Sequence, residues 1–133
     1  MSENIEVVRR VLDAFSRADV DAVIAASSED FEFDFSDSRG PQSGVYRGLD
    51  EARSFFESFL EPWAALDVET EEFIELERDR YLTVSKIRTR GQGSGAEVNA
   101  RGALVWTVRG GEVAAVKLYQ SKEEALAAAS AER

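Results

Sequence analysis

The chain has 133 residues, a formal net charge of −10, and neither histidine nor cysteine. The missing residue types exclude Ser-His-Asp and Cys-His catalysis, Cys/His zinc sites and disulfide frameworks. The acidity argues against nucleic acids and anionic membranes as partners, because both require a basic face. Any chemistry must therefore come from Asp, Glu, Tyr, Lys, Arg or water.

Length and composition predict one soluble globular domain over residues 1–133. Hydrophobic residues make up 44% of the chain and charged residues 32%, which is ordinary for such a domain. No apolar run approaches the roughly 20 residues of a membrane span, and no cationic segment precedes an apolar one as in a signal peptide. We expect a cytoplasmic protein that uses no metal and no cofactor.

Two helices are predicted at the start of the chain. Between residues 3 and 17 the apolar side chains recur every three or four positions, which predicts an amphipathic helix. These positions are Ile5, Val8, Val11, Leu12 and Phe15. A second, short helix is predicted over residues 19–27, with Asp19 as its N-cap because a carboxylate accepts the free amide hydrogens of a first turn.

The period then changes to that of a strand. Phe31, Phe33 and Phe35 alternate with polar residues, which predicts a half-buried strand with one aromatic face. Residues 36–48 are rich in Gly and Ser and are predicted to form a long loop. A third amphipathic helix is predicted over residues 49–63.

The second half of the chain is predicted to be an antiparallel meander followed by a helix. The strands are expected over residues 66–78, 81–91, 96–109 and 112–120, and the helix from Ser121. A break in the alternation at Phe73 and Ile74 predicts a β-bulge. Helices in one block and strands in another indicate an α+β fold. We expect a strongly bent, mainly antiparallel sheet around the first helix, forming a cone whose open end admits a ligand.

Three stretches of the sequence carry a family resemblance. They are residues 7–22 (VVRRVLDAFSRADVDA), residues 44–48 (GVYRG) with the helix that follows, and residues 105–113 (VWTVRGGEV) running into Leu118, Tyr119 and Gln120. In this order and spacing the chain resembles the nuclear transport factor 2-like superfamily, most closely its SnoaL-like branch.

The resemblance implies a conical, cystatin-like α+β barrel with a hydrophobic pocket, and a homodimer packed through the outer face of the sheet. Similar proteins include polyketide cyclases, ketosteroid isomerases, limonene epoxide hydrolases, scytalone dehydratase and non-catalytic transport or binding modules. Such a fold specifies a pocket and leaves the reaction open.

The catalytic positions of the ketosteroid isomerases are apolar in this chain. The resemblance places Val11 at the position of their oxyanion tyrosine, Phe35 at that of the general-base aspartate and Leu104 at that of the protonated aspartate. The cyclase aspartate falls near residues 119–121, which read Tyr-Gln-Ser with no histidine in the chain. The resemblance therefore predicts that neither of these familiar mechanisms operates.

Two polar residues are candidates for acid–base catalysis. Asp37 continues the alternation of the aromatic strand, so its carboxylate is expected at the lip of the pocket, where it could act as a base. Tyr46 follows the Gly-rich loop, where its phenol could donate a hydrogen bond to a ligand oxygen. The alternatives are a solvated Asp37, or one in an Asx-turn, and a Tyr46 that only covers the mouth of the cone.

The candidate ligand-binding residues are mainly aromatic. They are Phe15, Phe33, Phe35, Phe59, Trp63, Leu104, Trp106 and Gln120. The two indoles are the better candidates, because a buried indole N–H seeks a hydrogen-bond partner. The alternative for each phenylalanine is ordinary core packing.

Alternation along the last strands separates inward from outward polar residues. Leu118 is expected to face inward, so Gln120 is predicted to face the pocket and Lys117 the outer side. Arg101 is predicted to face outward by the same argument. We expect these outer basic residues to pair across a dimer with the glutamates of residues 69–72.

Together these patterns predict a SnoaL-like protein with a pocket for a small apolar or aromatic ligand. As an enzyme it would be an acid–base isomerase, dehydratase or cyclase, with Asp37 as base and Tyr46 as donor. The alternative is a non-catalytic dimeric binding or accessory module of the same fold, which the apolar family positions favour. An open cavity would favour the first hypothesis, and a cone filled by side chains the second.

Overall fold

The computed structural model describes residues 2–38, 43–61, 63–91, 93, 95 and 97–131. The helices are α1 (Ser2–Ser16), α2 (Val20–Ala25), α3 (Gly48–Leu60) and α4 (Lys122–Ala131). The strands are β1 (Ser27–Asp34), β2 (Val45–Arg47), β3 (Trp63–Glu75), β4 (Arg80–Gly91), β5 (Glu97–Arg109) and β6 (Glu112–Tyr119). Within these residues, no helix is both long enough and apolar enough to cross a membrane.

All six strands form one sheet in the order β2-β1-β6-β5-β4-β3. The strands from β3 to β6 are a meander of antiparallel neighbours, as the sequence predicts. β1 lies parallel to β6. Parallel neighbours require a long crossover connection, and here the chain between them includes α3 and the preceding strands of the meander. The sheet is therefore mixed but mainly antiparallel, and the fold class is α+β.

The inner face of the sheet is apolar along one continuous row. Its members are register partners across β2, β1, β6, β5 and β4, namely Tyr46, Phe33, Val116, Trp106 and Tyr81. α1 packs on this face and contacts β3, β5 and β6. The apolar stripe of α1 faces the sheet, as its spacing predicts, with Val8 and Val11 buried and the other members half-buried. The main core lies between α1, α3 and this row of the sheet.

The outer face of the sheet is covered in part by α4. Leu82, Ala103 and Val105 form a second buried cluster with Ala125 of the helix. α4 begins with half of the predicted capping box, in which the Glu124 backbone N–H donates to the Ser121 hydroxyl at 3.1 Å. The Glu124 carboxylate accepts from the Gln120 backbone N–H at 3.2 Å. This helix therefore shields the apolar part of the outer face.

β2 is a strand that the sequence does not predict. Residues 36–48 are predicted to be a loop, yet Val45–Arg47 pairs antiparallel with residues 32–34. Three residues are too few to display a period, so the alternation gives no signal there. The second helix is shorter than predicted and ends at Ala25, because β1 already begins at Ser27.

β3 contains the predicted bulge, two residues before Phe73. The register shifts between Thr70 and Glu72, so Glu71 is the extra residue. The bulge changes the phase of the strand, because Thr70 faces inward before it and Phe73 faces inward after it. Ile74 faces outward and is apolar because the outer face is also covered at this point. Phe73 packs against the main core inside and Ile74 against the cluster beneath α4 outside. Two consecutive apolar residues here mark a strand buried on both faces.

Candidate functional site

A cavity lies between α1 and the inner face of the sheet. Its volume is about 70 Å³, which is enough for roughly five water-sized groups and far below the roughly 300–1,000 Å³ of drug-sized pockets. Its lining residues are Val11, Leu12, Phe15, Val23, Ser27, Phe31, Phe33, Phe56, Leu104, Trp106, Val113 and Val116. The cavity is therefore small, and helices, β1 and the last two strands all contribute to its wall.

The wall of the cavity offers almost no hydrogen-bonding group. Ser27 and Trp106 are the polar side chains among the described lining residues. The Ser27 hydroxyl donates to the carbonyl oxygen of Val23 at 2.8 Å. The Trp106 indole Nε1 donates to the Thr83 hydroxyl oxygen at 2.9 Å. Since both are already engaged, the cavity presents carbon surface, and such cavities stay free of water.

The cavity has a partly exposed rim on the side of α1. Nine of the twelve lining residues that the structure describes are buried, whereas Leu12, Phe15 and Leu104 are half-buried. The first two lie on α1 and the third on β5. A ligand that enters would therefore pass between the helix and the sheet.

An aromatic cluster supports the wall of the cavity from behind. The ring centroid of Phe33 lies 5.0 Å from that of Phe55 and 5.3 Å from that of Phe35. Phe59 stacks on Phe15 at 5.9 Å. Of the predicted ligand-binding residues, Phe15, Phe33, Leu104 and Trp106 line the cavity.

Phe35 and Phe59 lie in this supporting cluster and are not among the lining residues that the structure describes. Each packs against the rings of the cluster, as the alternative of core packing predicts. The side chain of Trp63 lies outside what the structure describes. Its backbone belongs to β3, where it pairs with Gly91.

Asp37 is exposed and its carboxylate is held by the end of β6. The Gln120 backbone N–H donates to its Oδ2 at 3.2 Å, and the Gln120 side-chain amide donates to its carbonyl oxygen. The Asx-turn of this loop is made instead by Asp34, whose Oδ1 accepts the Ser36 N–H at 3.0 Å. Neither Asp37 nor Gln120 is among the described lining residues of the cavity. The structure thus brings these two predicted residues together, but away from the cavity wall.

Tyr46 is half-buried and packs on the aromatic cluster. Its ring centroid lies 4.6 Å from that of Phe55. Like Asp37, it does not appear in the described wall of the cavity. Tyr46 therefore contacts the cavity's aromatic support, whereas Asp37 contacts the end of β6.

The outer basic residues pair within one chain, which differs from the expected pairing across a dimer. Arg101 donates to both carboxylate oxygens of Glu71, at 2.9 and 3.3 Å. This side-chain hydrogen bond lowers the pKa of Glu71 below its usual value. Arg88 pairs in the same way with Asp67 at 3.1 Å. Arg88 and Asp67 are register partners on neighbouring strands, whereas Arg101 on β5 reaches across β4 to Glu71 on β3. The chain thus satisfies these charges itself.

Lys117 also faces outward, as predicted, and its Nζ lies 3.7 Å from an Asp34 carboxylate oxygen. Within the described ranges, no group of three or more acidic side chains could hold a metal ion. The site that remains is the apolar cavity with its aromatic support.

The family follows from a comparison with known protein families. A family model described as a SnoaL-like domain matches residues 8–116. The chain belongs to the SnoaL-like family. A search of curated proteins finds no match.

Solved structures similar to this SnoaL-like chain cover almost all of it. A nuclear transport factor 2-like protein of unknown function from Burkholderia pseudomallei is 25% identical, with a TM-score of 0.78 over 96% of this chain and 97% of that one. A putative SnoaL-like polyketide cyclase from Jannaschia is 20% identical, with a TM-score of 0.75 over 98% and 93%. A Mycobacterium tuberculosis protein in complex with estradiol-17β-hemisuccinate is 15% identical, with a TM-score of 0.77 over 91% and 95%. The last two likenesses show the fold alone.

The sequence gives no functional signal for several residues of the cavity wall. Ser27 follows a short helix and reads as its end, and Val113 and Val116 read as ordinary strand residues. They meet because β1 pairs parallel with β6, with Ser27 opposite Val113. A parallel pairing between distant segments leaves no local signal in either of them.

Proposed function

We propose that this SnoaL-like domain binds a small apolar or aromatic molecule in the cavity beside α1. The observation that carries the proposal is the chemistry of the wall. Its polar side chains, Ser27 and Trp106, are satisfied by protein acceptors. A ligand therefore gains from burying carbon surface, at roughly 25 cal/mol per Å², and a polar ligand group placed there would lose its water without replacement.

The size of the cavity supports a ligand that inserts one ring or a short alkyl chain. A volume of about 70 Å³ does not accommodate the four fused rings of a steroid. The half-buried rim formed by Leu12, Phe15 and Leu104 leaves room for the remainder of a longer molecule to extend outward. We therefore propose that the apolar end of the ligand is the part that is recognised.

A binding titration with a matched pair of variants tests this proposal. Benzene is the probe, and its effect is followed by methyl and amide NMR signals and by thermal unfolding. Leu104→Trp places an indole at the rim and should weaken benzene binding at least tenfold. Leu118→Trp is the control, since Leu118 is the register partner of Leu104 on β6 and is outside the described cavity wall.

The proposal expects saturable benzene binding in the native chain and in Leu118→Trp. Absence of binding in the native chain would contradict it. Equal loss in both variants would also contradict it, because the ligand would then lie elsewhere on the inner face.

Acid–base catalysis by Asp37 and Tyr46 is the second candidate function. It is favoured by the contact between Asp37 and Gln120, which fixes a carboxylate beside the end of β6. A substrate would have to extend from the cavity to reach this carboxylate as base and the Tyr46 phenol as donor. Asp37→Asn and Tyr46→Phe should then abolish turnover of a bound compound while leaving its affinity within about threefold. Unchanged turnover in both variants would remove this assignment.

A cytoplasmic, single-domain homodimer also belongs to the proposal. The dimer would use the part of the outer sheet face beyond α4, where Arg88 and Arg101 form ion pairs with acidic residues of β3. These ion pairs are satisfied within one chain, so they do not join two chains. Two chains of net charge −10 repel each other, and salt screens this repulsion. We therefore propose a dimer that becomes stronger as the ionic strength rises.

A further inference from the structure

The hydrogen bond between Trp106 and Thr83 is the most deeply buried polar contact beside the cavity. Thr83 is 0% exposed and Trp106 is 3% exposed. The indole Nε1 donates to Thr83 Oγ1 at 2.9 Å, a good length for such a bond. Trp106 is part of the cavity wall, whereas Thr83 is not among the described wall residues.

The sheet register explains why these two side chains meet. Trp106 on β5 is the register partner of Tyr81 on β4, and Thr83 is the partner of Leu104. Thr83 is therefore the diagonal neighbour of Trp106 on the same face of the sheet. Its hydroxyl oxygen accepts the hydrogen bond of the indole N–H from the side of β4. The ring therefore remains in the cavity wall while its N–H is already hydrogen-bonded.

Packing alone does not require a hydroxyl at this position. Valine has nearly the same shape as threonine, is equally suited to a strand, and would fill the same space. What threonine adds is one acceptor for the indole. Without it the Trp106 N–H would be a buried donor without a partner, and a ligand atom that accepts a hydrogen bond would then be favoured in the cavity.

We propose that Thr83 determines the ligand preference of the cavity by occupying the Trp106 N–H. Thr83 acts through Trp106, so it is a positioning residue, and it makes the cavity select molecules whose inserted end carries no hydrogen-bond acceptor. This inference rests on the proposed function, in that the cavity must bind a ligand. It adds that the cavity disfavours ligands whose inserted end carries a hydrogen-bond acceptor, and that Thr83 causes this preference.

Benzene and pyridine are the probes that test this inference, because they share one ring shape and differ by a single acceptor nitrogen. Their affinities are measured by NMR titration at a pH where pyridine is neutral. The variants are Thr83→Val, which removes the acceptor, and Thr83→Ser, which keeps it. The chain has two tryptophans, and Trp106→Phe identifies the Trp106 indole signal by its loss.

The native chain and Thr83→Ser should prefer benzene over pyridine, and pyridine should leave the Trp106 indole N–H signal close to its position. In Thr83→Val this preference for benzene should fall about tenfold, because one hydrogen bond changes the binding free energy by about that factor in affinity. Pyridine should also shift the Trp106 indole signal downfield in this variant. The double variant Thr83→Val with Trp106→Phe should regain the preference, since it has neither donor nor acceptor.

An unchanged preference in folded Thr83→Val would overturn the role of Thr83 while leaving ligand binding intact. Failure of the native chain to bind either probe would overturn the proposed function and this inference with it. If Thr83→Val does not fold, the pyridine titration of the native chain still tests the inference. A downfield shift of its Trp106 indole signal with pyridine would show that the N–H is available to ligands and would overturn the inference.

Discussion

Phe56 offers the sharpest test of how the cavity is built. Its side chain is 6% exposed, and its ring centroid lies 5.5 Å from that of Phe33 and 6.1 Å from that of Phe15. Replacing it with alanine removes about 150 Å² of buried aromatic surface, equivalent to about 4 kcal/mol at 25 cal/mol per Å². Measured Phe→Ala losses of about 3–5 kcal/mol agree with this figure. A domain with a stability of about 5–15 kcal/mol can remain folded after such a loss.

Phe59→Ala is the matched control one turn further along α3. Phe59 is half-buried and its ring lies 5.9 Å from that of Phe15 and 6.0 Å from that of Phe35. It makes similar ring contacts but is outside the described cavity wall. We expect Phe59→Ala to cost about half as much as Phe56→Ala, because less of its surface is buried.

The two variants should also differ in the ligands that they accept. Phe56→Ala enlarges the cavity by most of a ring, so it should bury both rings of naphthalene and bind it at least tenfold more tightly than the native chain does. Saturation to about 100 times the dissociation constant should restore about 2.7 kcal/mol of the lost stability.

Urea unfolding followed by circular dichroism, with and without naphthalene, measures both effects. A Phe56→Ala cost below about 1 kcal/mol would refute the argument from burial. Equal stabilisation of Phe59→Ala by naphthalene would refute the assignment of the wall.

Three further predictions concern charge, capping and assembly. Burial alone would raise the pKa of Asp34, but hydrogen bonds from Ser36 and the nearby Lys117 ammonium outweigh it and lower that pKa below 3.8. The stabilising effect is therefore present above pH 3.8 and is lost as the pH falls through the folded-state pKa, so Asp34→Asn should cost roughly 0.5–1 kcal/mol at neutral pH and less at pH 3. A cost in urea unfolding that is the same at both pH values would contradict this. Ser121→Ala removes the acceptor of the Glu124 N–H, should cost about 1 kcal/mol, and should speed amide exchange in α4, whereas unchanged exchange would count against the cap. Sedimentation should show a dimer in 0.5 M NaCl, where salt screens the repulsion between two chains of net charge −10, with a shift towards the 14.7 kDa monomer in low salt, and a monomer in both conditions would rule out the proposed dimer.

Much of the fold can be predicted from the sequence because its signals are local. The spacing of the apolar residues in α1 and the alternation along β4 to β6 each occur within one element. The two-residue turn at Gly110 and Gly111 has positive φ at both positions, 58° and 81°, which is the conformation that favours glycine there. The fold class follows from the order of these elements.

The parallel pairing of β1 with β6 could not be predicted, because it joins segments about 85 residues apart and leaves no local pattern. The bulge could be predicted only to within two residues. Glu71 causes the change of phase, but the change shows at Phe73 and Ile74, because Ile74 is apolar where α4 covers the outer face. Coverage of both faces is a tertiary property that a single strand does not reveal.

The candidate site could be predicted only in its aromatic part. Phe15, Phe33 and Trp106 are large residues whose inward position follows from periodicity, and they line the cavity. Thr83 has no such signal, because a buried threonine and an exposed one look alike in sequence. Its importance depends on the cross-strand register that places its hydroxyl 2.9 Å from the Trp106 indole nitrogen.

The central claim is that the cavity binds apolar molecules, and intermolecular NOEs between benzene and the protein methyl groups test it most directly. The account predicts NOEs from benzene to the methyl groups of Val23, Val113 and Val116, which line the cavity, with saturation at a single site. NOEs confined to the cluster beneath α4, such as Leu82 and Leu126, or no saturable binding at all, would contradict it.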